Sequence, residues 1–263
     1  PGEDALMIPK TDDGRVLFAL PWHGKLLVGT TDTPLDEHRL EPVALEEEVD
    51  FVMRTISKYL TRAPSRRDVL SVFAGLRPLA APQEGAVKTK EISRSHKLIV
   101  SESGLNTITG GKWTTYRKMA EDTVDRAIES AGLESRASTT EDLSIHGNTP
   151  QVDRNNHLYV YGSDLAAILE LTKENPEWAQ KLHPDYEYIK AEVIWAVRNE
   201  MARTVEDVLA RRVRMLFLDA RAAIVTAPSV AHLLAIELYK DESWEKKQVA
   251  EFISVAKGYL LPG

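Results

Sequence analysis

The sequence contains no cysteine among its 263 residues. This excludes disulfides, thiolate metal sites and cysteine nucleophiles, and it fits a reducing compartment. The chain also lacks a surplus of basic residues, because 40 acidic and 33 basic side chains give a net charge of -7. Since binding to nucleic-acid phosphates needs such a surplus, the charge argues against a nucleic-acid partner.

Long apolar runs and several familiar motifs are missing as well. No apolar run approaches the roughly 20 residues that a membrane-spanning helix needs. The seven histidines include no H-x-x-x-H pair, so a metal site is not expected. The G-x-G-x-x-G fingerprint of dinucleotide-binding turns does not occur. The opening PGEDALMIPK has no initiator methionine and no basic signal region, so it reads as the middle of a longer protein.

The first half of the chain has a mixed strand and helix pattern. Two apolar runs, Val16–Leu20 and Leu26–Val28, flank the sequence PWHG and predict a hairpin. After three glutamates, apolar residues recur at helical spacing up to Leu60. Further predicted elements are a strand over 69–76, a hairpin over 97–111 that turns at 102–104, and a helix from Trp113 to a stop at Gly132.

The second half shows helical patterns and no strand signal. Helices are predicted over 193–201, from a Thr204 to Asp207 capping box, over Pro228–Tyr239, and from a Ser243 cap to Gly258. Trp195, Trp244 and Phe252 are expected in their core. We therefore predict an α+β fold in which a partial antiparallel-sheet region is followed by an all-helical C-terminal domain. The predicted boundaries are 1–132, a linker over 133–150, and 151–263.

The stretch TITGGKWTTYRKMAED places two glycines and a lysine between a strand and a helix. Backbone N–H groups at a helix start lack intrahelical partners and favour an anion. Gly110 and Gly111 would let a ligand approach the backbone, Lys112 adds a charge, and Thr114 and Thr115 offer hydroxyls. A plain strand-to-helix turn, in which the glycines only relieve packing, is the stronger interpretation of a GGK motif taken alone.

Two arginines at predicted strand ends favour a ligand-binding turn over a plain strand-to-helix turn. Arg77 precedes Pro78 just after one strand, and Arg94 precedes another. Guanidinium groups suit bidentate binding of phosphate, although each arginine alone fits a surface ion pair. Together with Lys112 they predict a site for a small phosphorylated substrate. His96 is expected to be an exposed strand-edge histidine rather than a substrate ligand, and the basic cluster at 211–214 is expected to pair with Glu206 or Asp207.

Four collinear segments resemble the FAD-dependent glycerol-3-phosphate dehydrogenases: GRVLFALPWHGKLLVGTTDT, GLRP, SRSH and TGGKWTTYRKMAED. The later EVIWAVRNEMARTVEDVLARRVR is similar to the C-terminal helical domain of the same enzymes. The resemblance covers about residues 6 to 260. It implies a flavoprotein that oxidises sn-glycerol 3-phosphate to dihydroxyacetone phosphate, reduces FAD and passes electrons to membrane quinone. The family's N-terminal nucleotide-binding half and its active-site histidine would lie before Pro1, so the chain looks like the C-terminal half.

The resemblance also assigns residue roles. Arg77 and Arg94 would bind the substrate phosphate, and Lys112 would lie beside substrate and flavin, so that Arg77 and Lys112 are the catalytic candidates. Gly110, Gly111 and the N–H groups of Trp113 and Thr114 would face the flavin pyrimidine ring, where a helix N-terminus stabilises the negative charge of the reduced ring.

Several alternatives remain open from the sequence. The electron acceptor could be oxygen, as in the glycerophosphate oxidases, and the substrate could be an amine, as elsewhere in the superfamily. Residues 151–263 could instead form a non-catalytic oligomerisation or partner module. The isolated chain is expected to bind FAD weakly or not at all and to have no activity. A homodimer and a cytoplasmic location, with peripheral attachment to the inner membrane face as a variant, are further expectations.

Overall fold

A computed structural model describes residues 4–37, 39–77 and 95–261. The chain divides into two compact units, one formed by Pro1–Gly75 with Thr149–Gly263 and the other by Leu76–Asn148. The predicted boundaries at 132 and 150 stay a prediction. The compact units group the residues differently, because the first 75 residues pack with those after 149.

The first unit contains a three-stranded antiparallel sheet in the order β1 (Leu6–Ile8), β2 (Leu17–Trp22), β3 (Lys25–Gly29). The predicted first hairpin is confirmed, with Trp22 paired to Lys25 across a turn at His23 and Gly24. Helix α1 (Glu46–Ile56) contributes Phe51 and Ile56 to a small core with the sheet. Three glutamates occupy its first turn, where the helix dipole favours negative charge.

The strand predicted over 69–76 is wrong. This segment is extended but joins no sheet, because its polar groups pair with helical residues far along the chain. The Leu70 carbonyl accepts from the Ala220 N–H at 3.1 Å, the Ser71 hydroxyl donates to Leu216 O at 2.8 Å, and the Val72 N–H donates to Tyr259 O at 2.9 Å. The segment therefore lies along helices of the same unit, and we call residues 69–76 the strap.

The rest of the first unit is helical, as predicted. Its α-helices are α3 (Leu165–Glu174), α4 (Lys190–Asn199), α5 (Met215–Leu218), α6 (Ala220–Leu238) and α7 (Glu242–Ala256). A π-helical segment spans Asp207–Arg212, and 3-10 segments span His157–Asp164, Pro176–Ala179 and Lys257–Tyr259. Phe252 is buried in the core, and Trp195 and Trp244 pack against it, in line with their predicted role.

Two predicted helix starts are wrong. Helix α6 begins eight residues before Pro228, because the Asp219 carboxylate accepts from the Ala222 N–H at 3.0 Å and caps an earlier turn. Helix α7 is capped by Asp241, whose carboxylate accepts from the Trp244 N–H at 2.8 Å, and not by Ser243. The predicted capping box is confirmed, since the Asp207 N–H donates to the Thr204 hydroxyl at 3.0 Å.

Helix α6 also corrects the expectation about apolar length. It has 19 residues with a mean hydropathy of 1.3, which is enough to cross a membrane by length and composition alone. Half of it is buried inside the protein, so it also meets the description of a core helix.

The second unit contains the hairpin of β4 (Lys97–Val100) and β5 (Asn106–Thr109), followed by helix α2 (Tyr116–Ala131). The predicted hairpin and helix are confirmed. Gly104 turns the hairpin with a φ of 84°, and Gly132 ends α2 in the left-handed conformation that was predicted for a C-terminal stop. Residues 133–150 contain no helix or strand.

Candidate functional site

The predicted site turn connects β5 to α2 within the second unit. Gly110 and Gly111 follow the strand with φ values of 77° and 79°, a region that L-residues with a side chain rarely adopt. Lys112 then returns to an extended conformation, and a 3-10 turn over Trp113–Thr115 leads into the helix. The sequence order of strand, two glycines, lysine and helix therefore becomes a double left-handed turn at a helix start.

At both glycines a Cβ atom would lie too close to neighbouring atoms. A Cβ atom at Gly110 would lie 2.9 Å from the Ser95 carbonyl oxygen, which is backbone and cannot yield cheaply. A Cβ at Gly111 would overlap the thioether of Met119 and lie 3.4 Å from the Cβ of His96. Close packing against Ser95, Met119 and His96 is therefore enough to explain why both positions are glycine. Close approach of a ligand to this backbone stays a prediction.

The start of the helix presents donors. The first intrahelical hydrogen bond runs from the Thr115 N–H to the Lys112 carbonyl at 2.9 Å, so the N–H groups of Trp113 and Thr114 precede it. The Thr115 hydroxyl accepts from the Lys112 N–H at 3.2 Å and donates to the Lys112 carbonyl at 2.9 Å. Thr115 therefore caps the turn, while Lys112, Trp113 and Thr114 are exposed. This donor set fits an oxygen acceptor or an anion.

A cluster of charged and polar side chains connects the residue before β4 to the first two turns of α2. His96 Nε2 lies 2.8 Å from Asp122 Oδ2, and Lys118 Nζ lies 2.9 Å from Asp122 Oδ1. The hydrogen bond from Lys118, and then that with His96, holds the pKa of the Asp122 carboxyl below its usual value. The expectation of an exposed His96 is wrong, since its side chain is 25% exposed and has a carboxylate partner. Sequence reasoning missed this pair because Asp122 lies 26 residues away, on the second turn of α2.

The arginines are placed only in part. Arg77 is exposed and lies just beyond the strap, at the start of the second unit. Arg94 lies outside the described residues. The convergence of Arg77, Arg94 and Lys112 on one phosphate accordingly stays a prediction.

The basic cluster at 211–214 behaves as predicted for Arg211. Its guanidinium lies 2.5 Å from the Glu206 carboxylate and 3.3 Å from that of Asp207. Arg212 joins the same network through Asp207 and Glu200.

Comparisons with known proteins place the site turn in a family. Residues 1–117 match the sequence model of the FAD dependent oxidoreductases, and residues 106–248 match that of the C-terminal domain of alpha-glycerophosphate oxidase. The second match covers more than half of the chain, and both include the turn at 110–114. The chain belongs to the FAD-dependent glycerol-3-phosphate dehydrogenase family.

Relatives in this family align over nearly the whole chain. A probable mitochondrial glycerol-3-phosphate dehydrogenase of Caenorhabditis elegans is 38% identical over 98% of the chain and 39% of its own length. The mitochondrial glycerol-3-phosphate dehydrogenase of Bos taurus is 36% identical over 99% of the chain and 38% of its own length. The chain thus spans about two fifths of the length of these relatives.

A solved structure confirms the fold. The X-ray structure of the glycerol-3-phosphate dehydrogenase from Bacillus halodurans, complexed with FAD, superposes with a TM-score of 0.79 at 26% identity. The alignment covers 98% of this chain and 54% of that one. The resemblance stated from the four motifs is therefore confirmed, as is the predicted α+β class with a helical C-terminal region.

Proposed function

We propose that the chain is the C-terminal portion of an enzyme that oxidises sn-glycerol 3-phosphate to dihydroxyacetone phosphate with FAD as cofactor. The observation that carries the proposal is the site turn itself. Its exposed lysine and helix-start donors lie where the two family matches overlap, at residues 106–117. Because Lys112, Trp113 and Thr114 are all exposed beside the glycines, a ligand can reach both the ammonium group and the helix-start N–H groups.

Substrate binding is assigned to the cations. Arg77 and Arg94 would bind the phosphate, because planar guanidinium groups make paired, charge-assisted hydrogen bonds to phosphate oxygens. Lys112 would lie between the substrate and the cofactor, where an ammonium group stabilises a substrate oxygen as its proton leaves. Binding through the phosphate, which is remote from the reacting carbon, holds that carbon in place.

Cofactor binding is assigned to the backbone of the site turn. The N–H groups of Trp113 and Thr114, together with Gly110 and Gly111, would hold the oxygen-bearing edge of the flavin ring. FAD, when bound, supplies the acceptor for the hydride that leaves the substrate. Preorganised N–H donors at a helix start favour negative charge without having to reorient, and the loss of one such donor typically costs about 3 kcal/mol of barrier.

The proposal has two forms, which differ in the molecule that accepts the electrons from the reduced cofactor. We favour membrane quinone, since the relatives named above are dehydrogenases. The second family match is named after an oxidase, so oxygen is the second candidate. Addition of glycerol 3-phosphate to the whole enzyme should reduce a soluble quinone without peroxide formation. Peroxide in place of quinone reduction would assign the oxidase activity.

The substrate and the role of the helical region are tested on the same enzyme. Turnover of glycerol 3-phosphate, with no turnover of an amine, supports the proposal over an amine oxidase. If the whole enzyme shows no turnover with either compound, the rival function, a non-catalytic module for oligomerisation or partner binding, gains support.

The isolated chain is proposed to be inactive and to bind FAD weakly or not at all, because it lacks the G-x-G-x-x-G fingerprint that holds the FAD diphosphate. After incubation with FAD and gel filtration, the purified chain should show no stoichiometric flavin absorption. A retained yellow band with one flavin per chain would contradict this.

Two further parts of the proposal concern assembly and location. We propose a homodimer and a cytoplasmic enzyme attached to the inner face of the membrane, since quinone is a membrane molecule. Light scattering of the whole enzyme and its distribution between membrane and soluble fractions measure these two properties directly.

A further inference from the structure

The site turn lies beyond the end of the β4–β5 ladder. The last paired residues at this end are Lys97 and Thr109, so the register of the ladder does not extend to Gly110 and Gly111. Glycine loses more conformational freedom on folding than any other residue, because it has no Cβ to restrict its backbone. The direction in which Lys112 leaves the turn therefore depends on what packs against the two glycines.

The residues before β4 and helix α2 pack against the glycines. The Ser95 carbonyl oxygen and the His96 Cα lie 2.9 and 3.7 Å from the position that a Cβ of Gly110 would occupy. The His96 Cβ lies 3.4 Å from the corresponding position at Gly111, and the terminal methyl group of Met119 lies 2.8 Å from it. His96 thus lies beside both glycines, and its placement limits the space in which the turn can move.

The ring of His96 is held by a carboxylate of α2. Its Nε2 lies 2.8 Å from Asp122 Oδ2, and the two side chains are 25% and 32% exposed. Lys118 Nζ lies 2.9 Å from the other carboxylate oxygen, Oδ1. The hydrogen bonds from Lys118 and His96 lower the pKa of the Asp122 carboxyl, so the group keeps its charge at neutral pH. A hydrogen bond to an ionised carboxylate is shorter and stronger than one between neutral groups.

This hydrogen bond differs in reach from the ion pairs within α2. Glu121 pairs with Lys118 and Arg117, three and four positions earlier on the same helix. Such pairs support the helix itself and do not fix it against the hairpin. His96 and Asp122 lie 26 residues apart, and their bond joins the residue before β4 to the helix that follows the site turn. The bond therefore closes a loop that contains the whole turn.

We propose that His96 and Asp122 are positioning residues of the proposed catalytic site. Their hydrogen bond holds His96 against the two glycines, and the glycines fix the direction of Lys112. The N–H groups of Trp113 and Thr114 are directed by the same turn. This inference rests on the proposed function, in which these groups face substrate and cofactor. Preorganised donors stabilise developing charge without having to reorient, so a turn that is free to move loses part of this effect.

Four variants separate this role from general stability. His96→Leu keeps an apolar side chain beside Gly111 but cannot hydrogen-bond, and His96→Gln restores an N–H donor that can reach the carboxylate. Asp122→Ala removes the acceptor. Glu121→Ala is the matched control, because it removes the adjacent carboxylate, whose cationic partners lie on α2 itself. Circular dichroism and urea unfolding establish that each variant is folded.

Amide nitrogen NMR relaxation of the purified chain measures the turn without cofactor or substrate. In the unaltered chain, the amides of residues 110–112 should have order parameters of about 0.85, the value of rigid backbone. His96→Leu and Asp122→Ala should each lower them to about 0.6 or less. The double variant should lower them no further, because both changes break the same bond. His96→Gln and Glu121→Ala should leave them unchanged.

Anaerobic mixing of the whole enzyme with glycerol 3-phosphate measures flavin reduction by absorbance. His96→Leu and Asp122→Ala should lower the limiting rate by about tenfold to hundredfold, because small displacements of reacting groups are costly. The substrate concentration that gives half the limiting rate should not change, since the arginines assigned to the phosphate are unaltered. His96→Gln should recover most of the rate, and Glu121→Ala should not change it.

The inference is overturned by any of three results. The order parameters of residues 110–112 could be the same in His96→Leu as in the unaltered chain, Glu121→Ala could lower the rate as much as Asp122→Ala, or the two single effects could add in the double variant. A whole enzyme that does not reduce its flavin with glycerol 3-phosphate would instead refute the proposed function. The relaxation measurement would still decide whether the pair holds the turn.

Discussion

Replacement of Gly110 by alanine tests why the site turn contains glycine. Two costs are expected. A Cβ in the left-handed conformation costs about 1–2 kcal/mol, and the overlap with the Ser95 carbonyl at 2.9 Å adds about 1–3 kcal/mol because backbone must shift. Gly104→Ala is the matched control. Gly104 has a φ of 84° in the same hairpin, and a Cβ there would meet nothing within 4 Å. It therefore incurs only the conformational cost.

Hydrogen exchange of the β4–β5 amides measures the difference, since it reports local opening of this hairpin rather than unfolding of the other unit. Gly110→Ala should reduce protection by about tenfold to hundredfold beyond the loss in Gly104→Ala. Gly111→Ala should fall between the two, because the thioether of Met119 can move away. Equal loss of protection in Gly110→Ala and Gly104→Ala would refute the argument that the Ser95 carbonyl requires glycine here.

The remaining predictions concern the first unit. Tyr161→Phe should lower the free energy of unfolding by about 1–3 kcal/mol in urea, because it leaves the buried Glu192 carboxylate without its hydroxyl donor; no change would mean that water replaces the donor. An NMR titration should place the pKa of His23 below its ordinary 6.5, and Arg214→Asn should raise that pKa. Because the folded chain favours the neutral form of His23, this group adds stability above pH 6.5, and that stability is lost as the pH falls through the lowered pKa. Asp241→Ala should destabilise the chain by about 1 kcal/mol through loss of the α7 cap, whereas Asp241→Asn should cost little.

Local chemistry explains which elements could be predicted from the sequence. The hairpin at His23 and Gly24 and the helix end at Gly132 depend on a few adjacent residues, and both were predicted. The segment over 69–76 has the composition of a strand, but its hydrogen-bond partners are helical residues 145 to 187 positions later in the chain. No pattern within the segment could indicate them. A proline inside a helix is disfavoured on local grounds, so Pro228 predicts a helix start, whereas in the structure it lies inside α6.

The candidate site likewise has a part that local sequence predicts and a part that it does not. The turn at 110–114 was predicted because glycines, lysine and helix start are contiguous. The pairing of His96 with Asp122 joins the residue before β4 to the second turn of α2, and a cavity at the tip of the β2–β3 hairpin joins residues near 25 to residues near 214. Such clusters arise from tertiary packing and leave no local spacing signal.

The central claim is that Arg77 binds the phosphate of the substrate, and kinetics of the whole enzyme test it most directly. We would compare Arg77→Gln with Arg136→Gln, since Arg136 is an exposed arginine of the same unit that pairs with Glu134. For glycerol 3-phosphate, Arg77→Gln should lower kcat/KM by about tenfold to hundredfold. For glycerol, which has no phosphate, it should leave kcat/KM unchanged, and Arg136→Gln should change neither. Unaltered turnover of glycerol 3-phosphate in Arg77→Gln, or an equal fall with both substrates, would contradict the account.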